Sequence, residues 1–145
     1  MDIYQRLKQD HEAASQLLER LEQSSPRDAR QRSELLSDLR DELMTHMLAE
    51  QEVLYNTLLE RIDEQDLLLE SVEEHALVEQ LIDDIESAGV GDRRFNTRVS
   101  TLRNAVDEHV AKEEDLVFET ARKHLADDEA QALGDRLKAR KQEIA

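Results

Sequence analysis

Three stretches of this chain stand out as helix breakers, and their scarcity limits what it can become. They are "SSPRD" at 24–28, "IDEQD" at 62–66 and "GVGD" at 89–92, in a sequence of 145 residues with 3 glycines and 1 proline. Inside a helix, glycine costs about 1 kcal/mol and proline about 3 kcal/mol relative to alanine. A chain nearly free of both, and dominated by Leu, Glu, Ala, Arg, Asp and Gln, is built for long helices. In the first break, Ser25, Pro26 at the first helical position and Asp28 make an N-terminal capping signature. In the third, Gly89 stops one helix and Asp92 caps the next.

Between the breaks run apolar stripes of helical period. The first helix carries Ile3, Leu7, Ala14, Leu18 and Leu21, and the second Leu35, Leu39, Leu43, Val53 and Leu58. The third carries Leu68, Val72, Val78, Ile82 and Ile85, and the fourth Phe95, Val99, Leu102, Val106, Leu116 and Val117. A fifth, mostly polar helix is expected over about 127–143. The reading is all-α: one domain over 1–145, an up-down-up-down four-helix bundle over about 2–125 with an additional C-terminal helix.

A formal net charge of −16 argues against nucleic acid or an anionic membrane face as a partner, since both require a basic footprint. With no cysteine, disulfides, zinc-thiolate sites and iron–sulfur clusters are excluded. The N-terminus "MDIYQRLKQD" has no apolar core of a signal peptide and no run approaches membrane-spanning length, so a cytoplasmic location is expected.

The stripes are broken by polar residues in a regular way. His11 completes the series 3, 7, 11, 14, 18, and His75 completes 68, 72, 75, 78, 82. His46 and Glu50 complete 39, 43, 46, 50, 53, and His109 and Glu113 complete 102, 106, 109, 113, 117. Each helix of the bundle therefore sends one histidine into the core, and two of them add a glutamate one turn later. His46 to His109 and Glu50 to Glu113 are each 63 residues, and His11 to His75 is 64. "HMLAEQEVLY" and "HVAKEEDLVF" read as two copies of one helix–helix unit, so the core has approximate two-fold symmetry.

A buried ionised carboxylate costs several kcal/mol unless it is paired or binds a metal. No Arg or Lys shares the stripes at these levels. Imidazole nitrogen with carboxylate oxygen suits iron, manganese or zinc. Six such ligands exceed a tetrahedral zinc site and match two ions sharing bridging carboxylates. The Glu-x-x-His pattern of ferritin-like bundles is absent, because Lys8, Leu43, Val72, Val106 and Ala121 stand three residues before the histidines.

The pattern H…HxxxE…H…HxxxE resembles the hemerythrin-like HHE cation-binding domain from roughly residue 3 to residue 125. The resemblance implies two non-haem iron ions, oxo- or hydroxo-bridged and carboxylate-bridged. His11, His46, His75 and His109 would be terminal ligands and Glu50 and Glu113 the bridges. It further implies binding or reduction of a small oxidant: dioxygen, hydrogen peroxide or nitric oxide. Hemerythrins proper carry a HxxxH pair on the third helix, whereas "HALVE" here supplies His75 and Glu79, which makes Glu79 a candidate seventh ligand. More carboxylate and less imidazole favours the higher iron oxidation state, and so redox chemistry or sensing over reversible oxygen carriage. The alternative function is a non-catalytic module that senses or buffers oxygen or iron.

Glu52 and Glu114 rotate off the ligand face and are expected to be solvated. Tyr55, one and a half turns past Glu50, is expected to be core, and His124 lies about 22 Å from His109 along the helix. Alignment of His11 with His46 requires a long or kinked connection within 24–33, or an extension of the first helix.

Overall fold

A computed structural model describes residues 1–145, and every regular element in it is helical. Helix α1 spans Ile3–Gln23. Helix α2 begins at Ala29–Glu50, passes through a π-helical turn at Gln51–Tyr55 and ends with Asn56–Leu59. Helix α3 is Asp66–Ala88. Helix α4 repeats the design of α2: Phe95–Lys112, a π-helical turn at Glu113–Val117, then Phe118–His124. Helix α5, Asp127–Ile144, closes the chain. The first four run up, down, up and down, as the three breaks predict.

Asp2 opens α1 with a reciprocal capping box, its side chain accepting from the Gln5 amide while the Gln5 side chain accepts from the Asp2 amide. Asp28 caps α2 by accepting from Gln31 N at 3.0 Å. Pro26 sits in the turn between Ser25 and Asp28, not at the first helical position, because helix α2 starts only at Ala29. Gly89 stops α3 with φ 88°, a conformation that side chains resist. Asp92 accepts from Arg94 N, yet α4 starts only at Phe95, because Asp92, Arg93 and Arg94 are spent in the turn.

His11 precedes the end of α1 by 12 residues and His46 follows the start of α2 by 17. The difference of 5 residues is about 7.5 Å of helix. The connection 24–28 absorbs it, since an extended residue covers about 3.3 Å. No kink or longer α1 is needed.

The apolar core falls into two clusters. One of 15 buried residues gathers the end of α1, the start of α2, the end of α3 and the start of α4, including Leu18, Leu39, Ile82 and Phe95. The other, of 17, gathers the opposite ends together with Ala130, Leu133 and Leu137 of α5. Between them lies a layer of buried polar side chains. Leu116, on the expected stripe of α4, is 50% exposed, and Val117 and Phe118 take the inward positions instead.

Helix α5 lies against α1 and α2 and the π-helical turn of α2. It comes close through Gly134. A Cβ there would lie 2.7 Å from the Asp2 carbonyl carbon and 2.9 Å from Ile3 N, both backbone atoms that cannot swing aside. Gly134→Ala is therefore expected to destabilise the protein by about 1–3 kcal/mol, the usual range for overpacking. A denaturant titration measures it, and an unchanged midpoint would mean that α5 is not docked at this depth.

Candidate metal centre

Two groups of side chains could each hold an ion in the polar layer: His11, His46, Glu50 and Glu113, and Glu50, His75, His109 and Glu113. In each group the ligand atoms lie within 4.8 Å of one another and all the residues are buried. The two glutamates are common to both groups, and both are completely buried. His11 Nε2 is 3.0 Å from Glu113 Oε1, and His75 Nε2 is 3.1 Å from Glu50 Oε1. His75 Nε2 also lies 3.0 Å from His109 Nε2.

The local helical geometry explains why these atoms meet. His46 and Glu50 are four residues apart on α2, and His109 and Glu113 on α4, so each pair shares a face one turn apart. Both helices run in the same direction, so both glutamates fall on the same side of the histidine layer, toward the cluster that includes Val53 and Val117.

Glu79 does not join them. It is exposed and belongs to neither group. Helix α3 is antiparallel to α2 and α4, so a residue four positions past His75 lies about 6 Å toward the opposite end of the bundle. There the buried position is taken by Val78. The candidate seventh ligand is therefore an exposed carboxylate outside the cluster.

Each histidine is held from outside through Nδ1 by a residue of the preceding helix, and the four contacts close a ring. Asp10 of α1 holds His46 of α2 at 2.8 Å, and Gln51 of α2 holds His75 of α3 at 2.8 Å. Glu74 of α3 holds His109 of α4 at 2.7 Å, and Glu114 of α4 holds His11 of α1 at 2.8 Å. Fixing Nδ1 outward leaves every Nε2 turned inward, as metal-bound histidines require. The ring was not foreseen in the sequence, and Glu114 is a histidine partner where solvation was expected. A signal was available. Asp10 and Glu74 each precede a histidine by one residue, and Gln51 and Glu114 each follow a core glutamate by one. One residue is about 100° around a helix, which carries a side chain from the core face to the seam with its neighbour.

The π-helical turns bring in one further residue. Along an α-helix, position i+5 lies about 140° from position i. A turn with i→i+5 bonds returns it toward the same face, and such turns recur at functional sites. Tyr55, five residues past Glu50, thereby donates its hydroxyl to Glu113 and stacks on His75 with ring centroids 5.5 Å apart. It is buried, as expected, and it also touches the site. Phe118, five past Glu113, has no hydroxyl and packs on Tyr4 at 5.1 Å. His124 binds the Thr120 carbonyl at 3.0 Å, far from the cluster, and Glu52 pairs with Arg140 of α5.

Burial and the contacts within the cluster set its electrostatics. Burial pushes the Glu50 carboxyl well above the ordinary carboxylate range, and the neighbouring Glu113 charge adds to the shift. Burial acts on Glu113 in the same sense, but its close contacts with Glu50, His109 and His11 outweigh it and hold that carboxyl well below the ordinary range. Burial, with the His109 charge, pushes His75 down to about 3. His11 and His109 rise, because their contacts to Glu113 and to Glu114 or Glu74 overcome the same burial. His11 Nε2, His46 Nε2, both Glu50 oxygens and Glu113 Oε1 are buried without a hydrogen-bond partner. Buried polar atoms are nearly always satisfied. Five unsatisfied atoms of ligating type converging on one space fit a cation there.

A model of the hemerythrin HHE cation binding domain matches residues 2–143, and the chain belongs to that family. The fold is also that of the hemerythrin HHE cation binding domain-containing protein from Mycobacterium kansasii, an Rv2633c homolog. The two superpose with a TM-score of 0.88 at 19% identity, over 99% of this chain and 87% of the other. No curated protein matches the sequence. The chain is thus a helical bundle of a cation-binding family, with a buried His/Glu cluster suited to metal.

Glu50→Gln keeps the shape and removes a buried ionisable group. The metal-free variant is expected to unfold at the wild-type temperature or higher, because a neutral amide replaces a buried carboxyl that folding forces to take up a proton. Its gain in melting temperature on adding metal should largely vanish, whereas wild type should gain about 2.7 kcal/mol at a hundred times the dissociation constant. Calorimetric melts with and without metal test both, and an undiminished metal-dependent gain in the variant would remove Glu50 from the site.

Proposed function

We propose that the chain is a non-haem di-iron protein that binds or reduces a small oxidant: dioxygen, hydrogen peroxide or nitric oxide. The observation that carries the reading is the closed ring of Nδ1 contacts, which turns four Nε2 atoms onto two shared, fully buried carboxylates. His11 and His46 would hold one iron and His75 and His109 the other, with Glu50 and Glu113 bridging. Iron held by these residues would supply one-electron redox chemistry toward a small oxidant.

The residues around the site favour a ligand of a few atoms. A cavity of about 20 Å³ adjoins His11, His46 and His109 and is walled by Leu43, Met47 and Val106. Roughly one water-sized molecule fits such a space. Ala14, Val78 and Val110 complete its apolar lining, and Asp10 and Glu42 stand beside the three histidines. Tyr55 keeps a hydroxyl proton on Glu113 and so orients that carboxylate. No helix is long and apolar enough to cross a membrane. The proposed reading is of a cytoplasmic protein whose partner is a diffusible oxidant.

Elemental analysis is expected to give about two irons per chain. Near-ultraviolet bands should bleach with dithionite and return with peroxide or oxygen. Peroxide or nitric oxide consumption by the loaded protein then separates turnover from sensing. A folded protein that takes up no iron when reconstituted anaerobically would overturn the reading.

A further inference from the structure

The four outer contacts follow the internal duplication. Asp10 and Glu74 are 64 residues apart, as are His11 and His75, and Gln51 and Glu114 are 63 apart, as are Glu50 and Glu113. The chemistry departs from that symmetry at one position: three of the four partners are carboxylates and the fourth, Gln51, is a neutral amide.

The difference acts on the proton of the ring it holds. A carboxylate only accepts, so a neutral His11, His46 or His109 keeps its proton on Nδ1 and its Nε2 lone pair inward. An amide either donates or accepts. Gln51 Nε2 stands 2.8 Å from His75 Nδ1, where it donates to the ring. Nδ1 is then the acceptor, the ring proton sits on Nε2, and Nε2–H is directed at His109 Nε2, 3.0 Å away, whose own proton Glu74 holds on Nδ1. His75 is thus satisfied without a metal. To ligate through Nε2 its proton must move to Nδ1 and the amide must turn over to offer its oxygen, an exchange of which an amide group is capable. Once turned, the amide oxygen still polarises the imidazole less than a carboxylate does, and the basicity of a ligating histidine follows its outer partner.

We propose that Gln51 makes the two metal positions unequal, so that the position of His75 and His109 binds its ion more weakly, and loads later, than that of His11 and His46. Gln51 is a positioning residue, acting on the ion only through His75. The proposal rests on the two-ion reading above. It assigns to this chain a dinuclear site that passes through a one-ion state, with the first ion on the side of His11.

The test is an anaerobic calorimetric titration of metal-free protein with ferrous iron, on wild type, Gln51→Glu and Glu114→Gln. Wild type is expected to show two steps of one ion each. Gln51→Glu should tighten the weaker step by about 10- to 100-fold, the range found for outer partners of metal ligands, and leave the tighter step within about 3-fold. Glu114→Gln, which gives His11 the same neutral partner, should weaken the tighter step and draw the two together. In Mössbauer spectra of the fully loaded protein, the two iron environments should differ in wild type and converge in Gln51→Glu. A purely structural role for Gln51 would move the melting temperature of the metal-free protein without changing this split. Two ions bound with equal affinity, or a weaker step indifferent to Gln51→Glu in a variant that melts like wild type, overturns the inequality while leaving two ions in place. Fewer than two ions on wild type overturns the two-ion reading and the inequality with it.

Discussion

Two carboxylates buried in the middle of a four-helix core set the terms for the rest of this structure. Glu50 and Glu113 lie between two apolar clusters, out of reach of water and of any lysine or arginine. Apolar packing on both sides supplies the hydrophobic driving force for folding, and it also removes the solvent that would stabilise the charges. Protonation and imidazole contacts relieve part of that cost. A cation would relieve the rest, because it satisfies several unpaired oxygens and nitrogens at once. The same burial that penalises the metal-free cluster would strengthen its hold on an ion.

Such a cluster works only if its ligands point correctly, and here the helices aim one another's histidines. Asp10, Gln51, Glu74 and Glu114 sit at successive helix seams, and each reaches across to the next helix. Loss of register at any seam would release a ring, so helix packing and ligand geometry are one requirement. Two of the seam carboxylates are themselves charge-compensated from outside: Lys141 of α5 pairs with Asp10, and Lys112 reaches Glu74 at 3.2 Å. Polar contacts thus run inward in steps, from lysine to acidic seam residue to imidazole to the two buried carboxylates. The added fifth helix belongs to this scheme. Its close approach at Gly134 and its Lys141 tie the C-terminal segment to the environment of His46.

The π-helical turns mark where the requirements of helix and site conflict. After each core glutamate the backbone widens by a residue, which lets Val53, Leu54 and Tyr55 all be buried in succession. The gain on α2 is a hydroxyl delivered to Glu113. On α4 the same turn delivers only the Phe118 ring, so the duplication is broken at the site in two places: Tyr55 against Phe118, and Gln51 against Glu114.

The sequence by itself determined the helices, their order and the six residues of the inner cluster. Those are local properties: sparse breakers end helices wherever they occur, and a period of 3.6 residues puts His46 with Glu50 and His109 with Glu113 on a face whatever surrounds them. The tertiary structure decided what depends on direction and on neighbours. Glu79 repeats the i, i+4 spacing of the core-facing pairs, which made it a candidate seventh ligand, yet the antiparallel course of α3 carries it away from the cluster. Asp10, Glu74, Gln51 and Glu114 looked like ordinary surface polar residues, because their roles depend on which helix stands across the seam. Tyr55 needed a π-helical turn, which follows from packing rather than from any residue preference. One-dimensional spacing specifies a face. Only the packed bundle specifies what that face meets.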